Sequence, residues 1–135
     1  MNVVVIDYKM SNLHSVVAAC KKVGLRSVIS SDPKEIMDAN TVILPGVGSF
    51  YQAMKAIKRL ELDFAIKKAL DNGSKVLGIC LGYQMLFDQS EEFGINKGLG
   101  LIKGKVVSLK KINALDSRVP NVGWRPIIIN KDNKV

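Results

Sequence analysis

A chain of 135 residues is close to the usual size of a single domain, and with 47% hydrophobic residues it can bury a substantial core. Its apolar runs are too short to span a membrane, its two cysteines have no metal-ligand spacing, and Met1 to Asp7 reads as the first core strand of a cytoplasmic protein rather than as an export signal. The net charge of +8 raises nucleic-acid binding, but the lysines are scattered; even the densest set, Lys103, Lys105, Lys110 and Lys111, partly alternates along a strand-like segment, as a solvated face does.

In chain order, strand and helix signals alternate. A strand is predicted over Asn2–Ile6. A helix follows from a cap at Ser11 or Asn12 to about Val23, where Gly24 closes it, and Leu13, Val16, Val17 and Cys20 form its apolar set. Cys20 is therefore expected in the core and His14, one position off that face, in solvent. A second strand lies around Arg26–Ser30. Asp32-Pro33-Lys34-Glu35 then supplies a cap, a proline and an acidic first turn for a short helix. Val42–Leu44 reads as a strand, followed by helices carrying Ala53, Met54, Ile57 and Leu60, and then Leu62, Ala65, Ile66, Ala69 and Leu70, with a stop at Asn72-Gly73. Lys75–Leu77 is a short buried strand, and Tyr83–Phe87 opens another helical pattern. Beyond Glu92 the pattern becomes strand-like, over Leu101–Leu109 and Pro126–Asn130. The alternation predicts an α/β fold, a doubly wound and mostly parallel sheet in three flavodoxin-like layers, with a more antiparallel C-terminal extension.

The chemistry concentrates at Gly78-Ile79-Cys80-Leu81-Gly82. A cysteine between two glycines, after a strand and before a helix, is placed as a nucleophile on a sharp turn, where the positive end of the helix dipole favours the thiolate. Pro45-Gly46-Val47-Gly48 follows another buried strand and is too glycine-rich for ordinary core. Attack by a thiolate on an amide creates an oxyanion, and the N–H groups of Leu81 and Val47 are the two candidate donors. Gln84 stands one helical turn beyond Cys80, on the same face, where it can orient an amide substrate. In sheets of this kind ligands bind at the carboxyl ends of the strands, and the Asp7–Asn12 loop, the Pro45–Gly48 turn and Cys80 all fall there. The hydroxyl-rich phosphate loop of a flavodoxin and the acidic cluster of a receiver domain are missing from that edge.

These motifs, together with Gly98–Gly104 and Pro120-Asn121-Val122-Gly123-Trp124, come in the order and spacing of class I glutamine amidotransferases, which the whole chain resembles. The Val in Pro45-Gly46-Val47-Gly48 makes it most similar to the branch serving imidazole glycerol phosphate synthase. The resemblance implies hydrolysis of L-glutamine through a thioester on Cys80. Gly46, Gly48 and Gln84 would then bind substrate, and Glu92 would take the glutamine α-amino group. Asn12, Asn121 and Trp124 would face a (β/α)8-barrel synthase subunit in a heterodimer that uses the ammonia. No organic cofactor, metal, nucleic acid or membrane is implied.

Three departures matter. Asn121 stands where the family usually has His, and Asp7-Tyr8-Lys9-Met10-Ser11-Asn12 replaces Asp-Tyr-Gly-x-Gly-Asn. A paralogous branch supplying ammonia for amidino or acetamidino sugars of surface polysaccharides is therefore an alternative. The family also completes its triad with a His-x-Glu pair near the C-terminus, whereas the one histidine here is His14. The expectation is a single amidotransferase domain that stops before its general base, either a truncated form or an inactive partner-binding module.

Overall fold

The computed structural model describes residues 2–112, 123, 124, 126 and 128. Every residue of β1 (Val3–Ile6) is buried, as a strand covered on both faces requires. It is followed by α1 (Leu13–Lys22), β2 (Ser27–Ser30), α2 (Pro33–Met37), β3 (Thr41–Leu44), α3 (Phe50–Arg59), α4 (Leu62–Asp71), β4 (Lys75–Gly78) and α5 (Leu81–Met85). The four strands form a parallel sheet in the order β2-β1-β3-β4. The chain reverses its direction of winding between β1 and β3. The loops leaving these two strands therefore part at a topological switch point, where open α/β sheets bind ligands.

Alternation along β1 and β3 divides the core between the two faces. Val4, Ile6, Val42 and Leu44 pack with Ile36, Phe50, Ile57, Leu62 and Ile66 from α2, α3 and α4. Val3, Val5 and Ile43 point the other way, onto Cys20, Leu13, Val16 and Val17 of α1. Cys20 is buried and His14 exposed, as the helical periodicity predicts.

Local signals set most helix ends. The side chains of Asn12, Asp32 and Ser49 accept hydrogen bonds from the first-turn amides of Ser15, Lys34 and Gln52. At the end of α1, Gly24 takes φ +76, and the bonds Gly24 N–H to Lys21 O and Leu25 N–H to Cys20 O close a Schellman stop. Asn72-Gly73 ends α4 with the same two bonds.

The second half departs from the sequence reading at α5. The helical pattern expected through Phe87 stops at Met85, and Phe87 already belongs to β5 (Phe87–Ser90). Long-range bonds cause the stop: Leu99 N–H donates to Met85 O, and Leu101 and Ile102 N–H donate to Leu86 O, so these carbonyls are satisfied by another segment. The extension thus begins before Glu92. It contains β5, β6 (Asn96–Lys97) and β7 (Ile102–Val106), in the order β6-β5-β7, and ends in a 3₁₀ turn at Leu109–Ile112. This second sheet is mixed, since β5 pairs antiparallel with β6 and parallel with β7. The strand expected over Pro126–Asn130 falls largely outside the described residues. Among those described, no helix is long and apolar enough to cross a membrane.

Candidate active site

Cys80 leaves β4 with φ 55° and ψ −117°, a conformation an L-residue holds only when its surroundings enforce it. Three bonds do so: Ile79 N–H to Leu44 O, Gly82 N–H to Ile79 O and Gln84 N–H to Cys80 O, all at 3.0–3.1 Å. Gly82 must be glycine, because a Cβ there would run into the carbonyl of Leu44. The thiol of Cys80 is exposed while that of Cys20 is not. With only five residues, α5 sums few peptide dipoles, so the help expected from a helix terminus is smaller than a long helix would give.

The Pro45–Gly48 loop lies directly against this turn. A Cβ added to Gly46 would come within 2.9 Å of Gly82 N and 3.0 Å of Leu81 Cβ. Leu81 N–H, the first of α5, has no backbone acceptor among the described residues. Val47 differs from the sequence expectation. Its N–H donates to Met10 O at 3.1 Å and so is committed to the β1–α1 loop rather than free beside Cys80.

The remaining candidate residues are distributed as follows. Gln84 is exposed on the turn after Cys80, and Gly48, at φ +94, leads into α3. The Glu92 carboxylate accepts from Phe50 N–H at 2.6 Å, which ties the second sheet to the start of α3, just beyond Gly48. Asn12 caps α1. Trp124 is fully exposed, and Asn121 lies outside the described residues. The neighbouring Glu91 is held by Lys105 at 2.7 Å and Lys111 at 2.6 Å, so two of the lysines read as a solvated face are paired.

Tyr8 escaped the sequence reading. It is fully buried, packs with Val4 and Ile6, and donates its hydroxyl to Pro45 O at 2.9 Å. The signal was the period of two running from Val4 through Ile6 to Tyr8, past the end of the strand. Burial, and secondarily negative charge at Cys80, push its pKa well above the ordinary phenol value. The next residue, Lys9, has φ 70°, where the resembling loop carries glycine. Its N–H and Nζ both bond the Asp7 carboxylate, at 2.9 and 2.6 Å, and these contacts hold Asp7 below the usual carboxylate range.

A cavity of about 290 Å³ opens beside this loop, among Tyr8, Met10, Gln52, Lys55 and Arg59. A larger one, about 460 Å³, lies between Met37–Thr41 and Asn72–Lys75, at the amino ends of β3 and β4 and hence at the far edge from Cys80. Among the described residues no cluster of His, Cys, Asp and Glu is suited to hold a metal ion.

Fold and site together define an α/β protein with a cysteine elbow on the carboxyl edge of a parallel sheet. Residues 2–122 match the CobB/CobQ-like glutamine amidotransferase domain, and the chain belongs to that family. It is 45% identical over 133 residues to imidazole glycerol phosphate synthase subunit HisH of Bacillus subtilis (strain 168), an alignment covering 96% of this chain and 62% of that protein. With the same subunit of Aquifex aeolicus (strain VF5) it shares 40% identity over 136 residues, covering 100% of this chain and 64% of that protein. The chain thus spans about three fifths of the length of the curated relatives it matches. A crystal structure of a glutamine amidotransferase has the same fold, with a TM-score of 0.66 at 18% identity over 77% of this chain and 55% of that one.

Proposed function

We propose that this chain is the cysteine-bearing part of a cytoplasmic glutaminase subunit of imidazole glycerol phosphate synthase, in L-histidine biosynthesis. The observation that carries the reading is the exposed thiol of Cys80, held at positive φ against a glycine-rich loop. The identity to HisH subunits supports the pathway.

In the reaction the Cys80 thiolate attacks the γ-amide carbon of L-glutamine. The C–N bond breaks, the proton given up by the Cys80 thiol leaves on ammonia, and water cleaves the thioester, its hydroxyl going to glutamate and its proton back to the thiol. Leu81 N–H donates to the developing oxyanion. Val47 N–H joins it only after its bond to Met10 O opens, so the resting loop holds one donor in reserve. Gly46 and Gly48 let the backbone approach the substrate, and Gln84 orients its amide. Glu92 keeps carboxylate lone pairs available for the α-amino group while it caps α3. Asn12, Asn121 and Trp124 face a (β/α)8-barrel synthase subunit that receives the ammonia.

The test is protection. L-glutamine should slow alkylation of Cys80 by iodoacetamide in a saturable way, while D-glutamine should not and Cys20 should stay unaffected. Equal protection by the two enantiomers would contradict a site shaped for the substrate.

A further inference from the structure

Tyr8 touches the catalytic loop from beneath. Its hydroxyl donates to Pro45 O at 2.9 Å, and a Cβ added to Gly46 would collide with the Tyr8 hydroxyl oxygen itself, so the hydroxyl also lies directly under Gly46. Gly46 in turn rests on Leu81 and Gly82 of the elbow. Tyr8, Pro45 and Gly46 are all buried. A contiguous stack therefore runs from the end of β1 through the loop to Leu81 and Gly82 of the elbow.

We propose that Tyr8 is a positioning residue of the amidotransferase site: its hydroxyl sets the height of the Pro45–Gly48 loop over the elbow, so that Leu81 N–H and, once its bond to Met10 O opens, Val47 N–H can converge on one oxygen. This rests on the reading of Cys80 as the glutamine nucleophile. Tyr8 acts on the loop and not on substrate, since its one assigned bond is spent on Pro45 O and its side chain is wholly enclosed. The phenol is protonated through the neutral range, and burial raises its pKa further, so the hydroxyl keeps the proton it donates to Pro45 O. Phenylalanine would fill nearly the same volume and leave a buried carbonyl without its partner, which isolates the hydroxyl as the variable.

The experiment compares the full chain with its Tyr8→Phe variant, using Tyr51→Phe, an exposed tyrosine of α3, as the control. Two readouts are taken. Amide hydrogen exchange at Gly46, Val47 and Gly48 should accelerate about tenfold with the loss of one buried hydrogen bond, with β1 and β3 unchanged. The maximal rate at which a diazo-ketone glutamine analogue labels Cys80 should fall roughly tenfold, its half-saturating concentration and the rate with iodoacetamide moving less than about twofold, as expected when geometry rather than binding is lost. Unchanged exchange would overturn the proposal. Faster exchange with an unchanged labelling rate would show a strut with no bearing on the chemistry, and would overturn the positioning role. A wild-type chain that the analogue does not label at Cys80 would instead sink the amidotransferase reading, while the exchange data still decide whether Tyr8 holds the loop. If Tyr8→Phe does not fold, the wild-type chain supplies the answer: a slowly exchanging Tyr8 hydroxyl proton close to the Gly46 α-protons is expected, and its absence would overturn the contact.

Discussion

Cys80 sits in a strained backbone conformation. A non-glycine residue at φ 55°, ψ −117° costs about 1–3 kcal/mol, and only part of that is returned when glycine, with its larger unfolded-state entropy, takes the position. Cys80→Gly is therefore predicted to raise stability by about 1 kcal/mol in urea unfolding while removing all labelling at the elbow. A lower urea midpoint would mean that the conformation is not strained. Both facts were legible in part. The flanking glycines and the strand-to-helix switch mark residue 80 as an elbow, and only the dihedral angles reveal the strain. Lys9 shows the opposite case. Lys9 stands at φ 70° where the family loop has glycine, and its compensation is local, two bonds to Asp7 only two residues before it.

At the scale of elements, what could be read and what could not divide by the range of the forces. Asn12, Asp32-Pro33 and Gly24 act on amides and carbonyls within a few residues of themselves, so the helix ends they mark can be read directly. The end of α5 is set by Leu99, Leu101 and Ile102, more than ten residues downstream, and no local pattern at Phe87 announces it. The same distance hides the bond of Val47 to Met10 and that of Glu92 to Phe50, which join segments a sequence reading keeps apart.

The second sheet is held to its 3₁₀ turn by Glu91. Side-chain bonds from Lys105 and then Lys111 lower its carboxyl from the ordinary 4.5 to about 2. Because the folded pKa is depressed, the contribution of Glu91 is complete above about pH 4.5 and is lost as the pH falls toward 2. The group is exposed, so salt should weaken the effect. Carboxyl NMR at low ionic strength is predicted to place the Glu91 titration near 2, and high salt or Lys105→Met to move it up. An ordinary Glu91 titration at low salt would show that the pairs do not persist in solution.

Across the whole molecule, the fold and the site have a single origin. Buried apolar strands at Val3–Ile6 and Thr41–Leu44 build a parallel sheet whose winding reverses between them, and that reversal brings the loop after β1, the loop after β3 and the elbow after β4 to one edge. On the proposed function, proton transfers take place at this edge. The one imidazole of these 135 residues, His14, stands exposed on the first turn of α1, and general acid–base help is typically worth about 10²–10⁴-fold. With a barrel synthase subunit present, the 135-residue polypeptide should release ammonia at least about 10²-fold more slowly than a version continued to the full length of its curated relatives. Equal rates would show that another group serves as base. On the proposed function, Cys80 is the glutamine-directed nucleophile. Its most direct test is mass mapping after reaction with a diazo-ketone glutamine analogue. The label should be confined to Cys80 and suppressed by L-glutamine; label on Cys20, or equal label on both cysteines, would contradict the account.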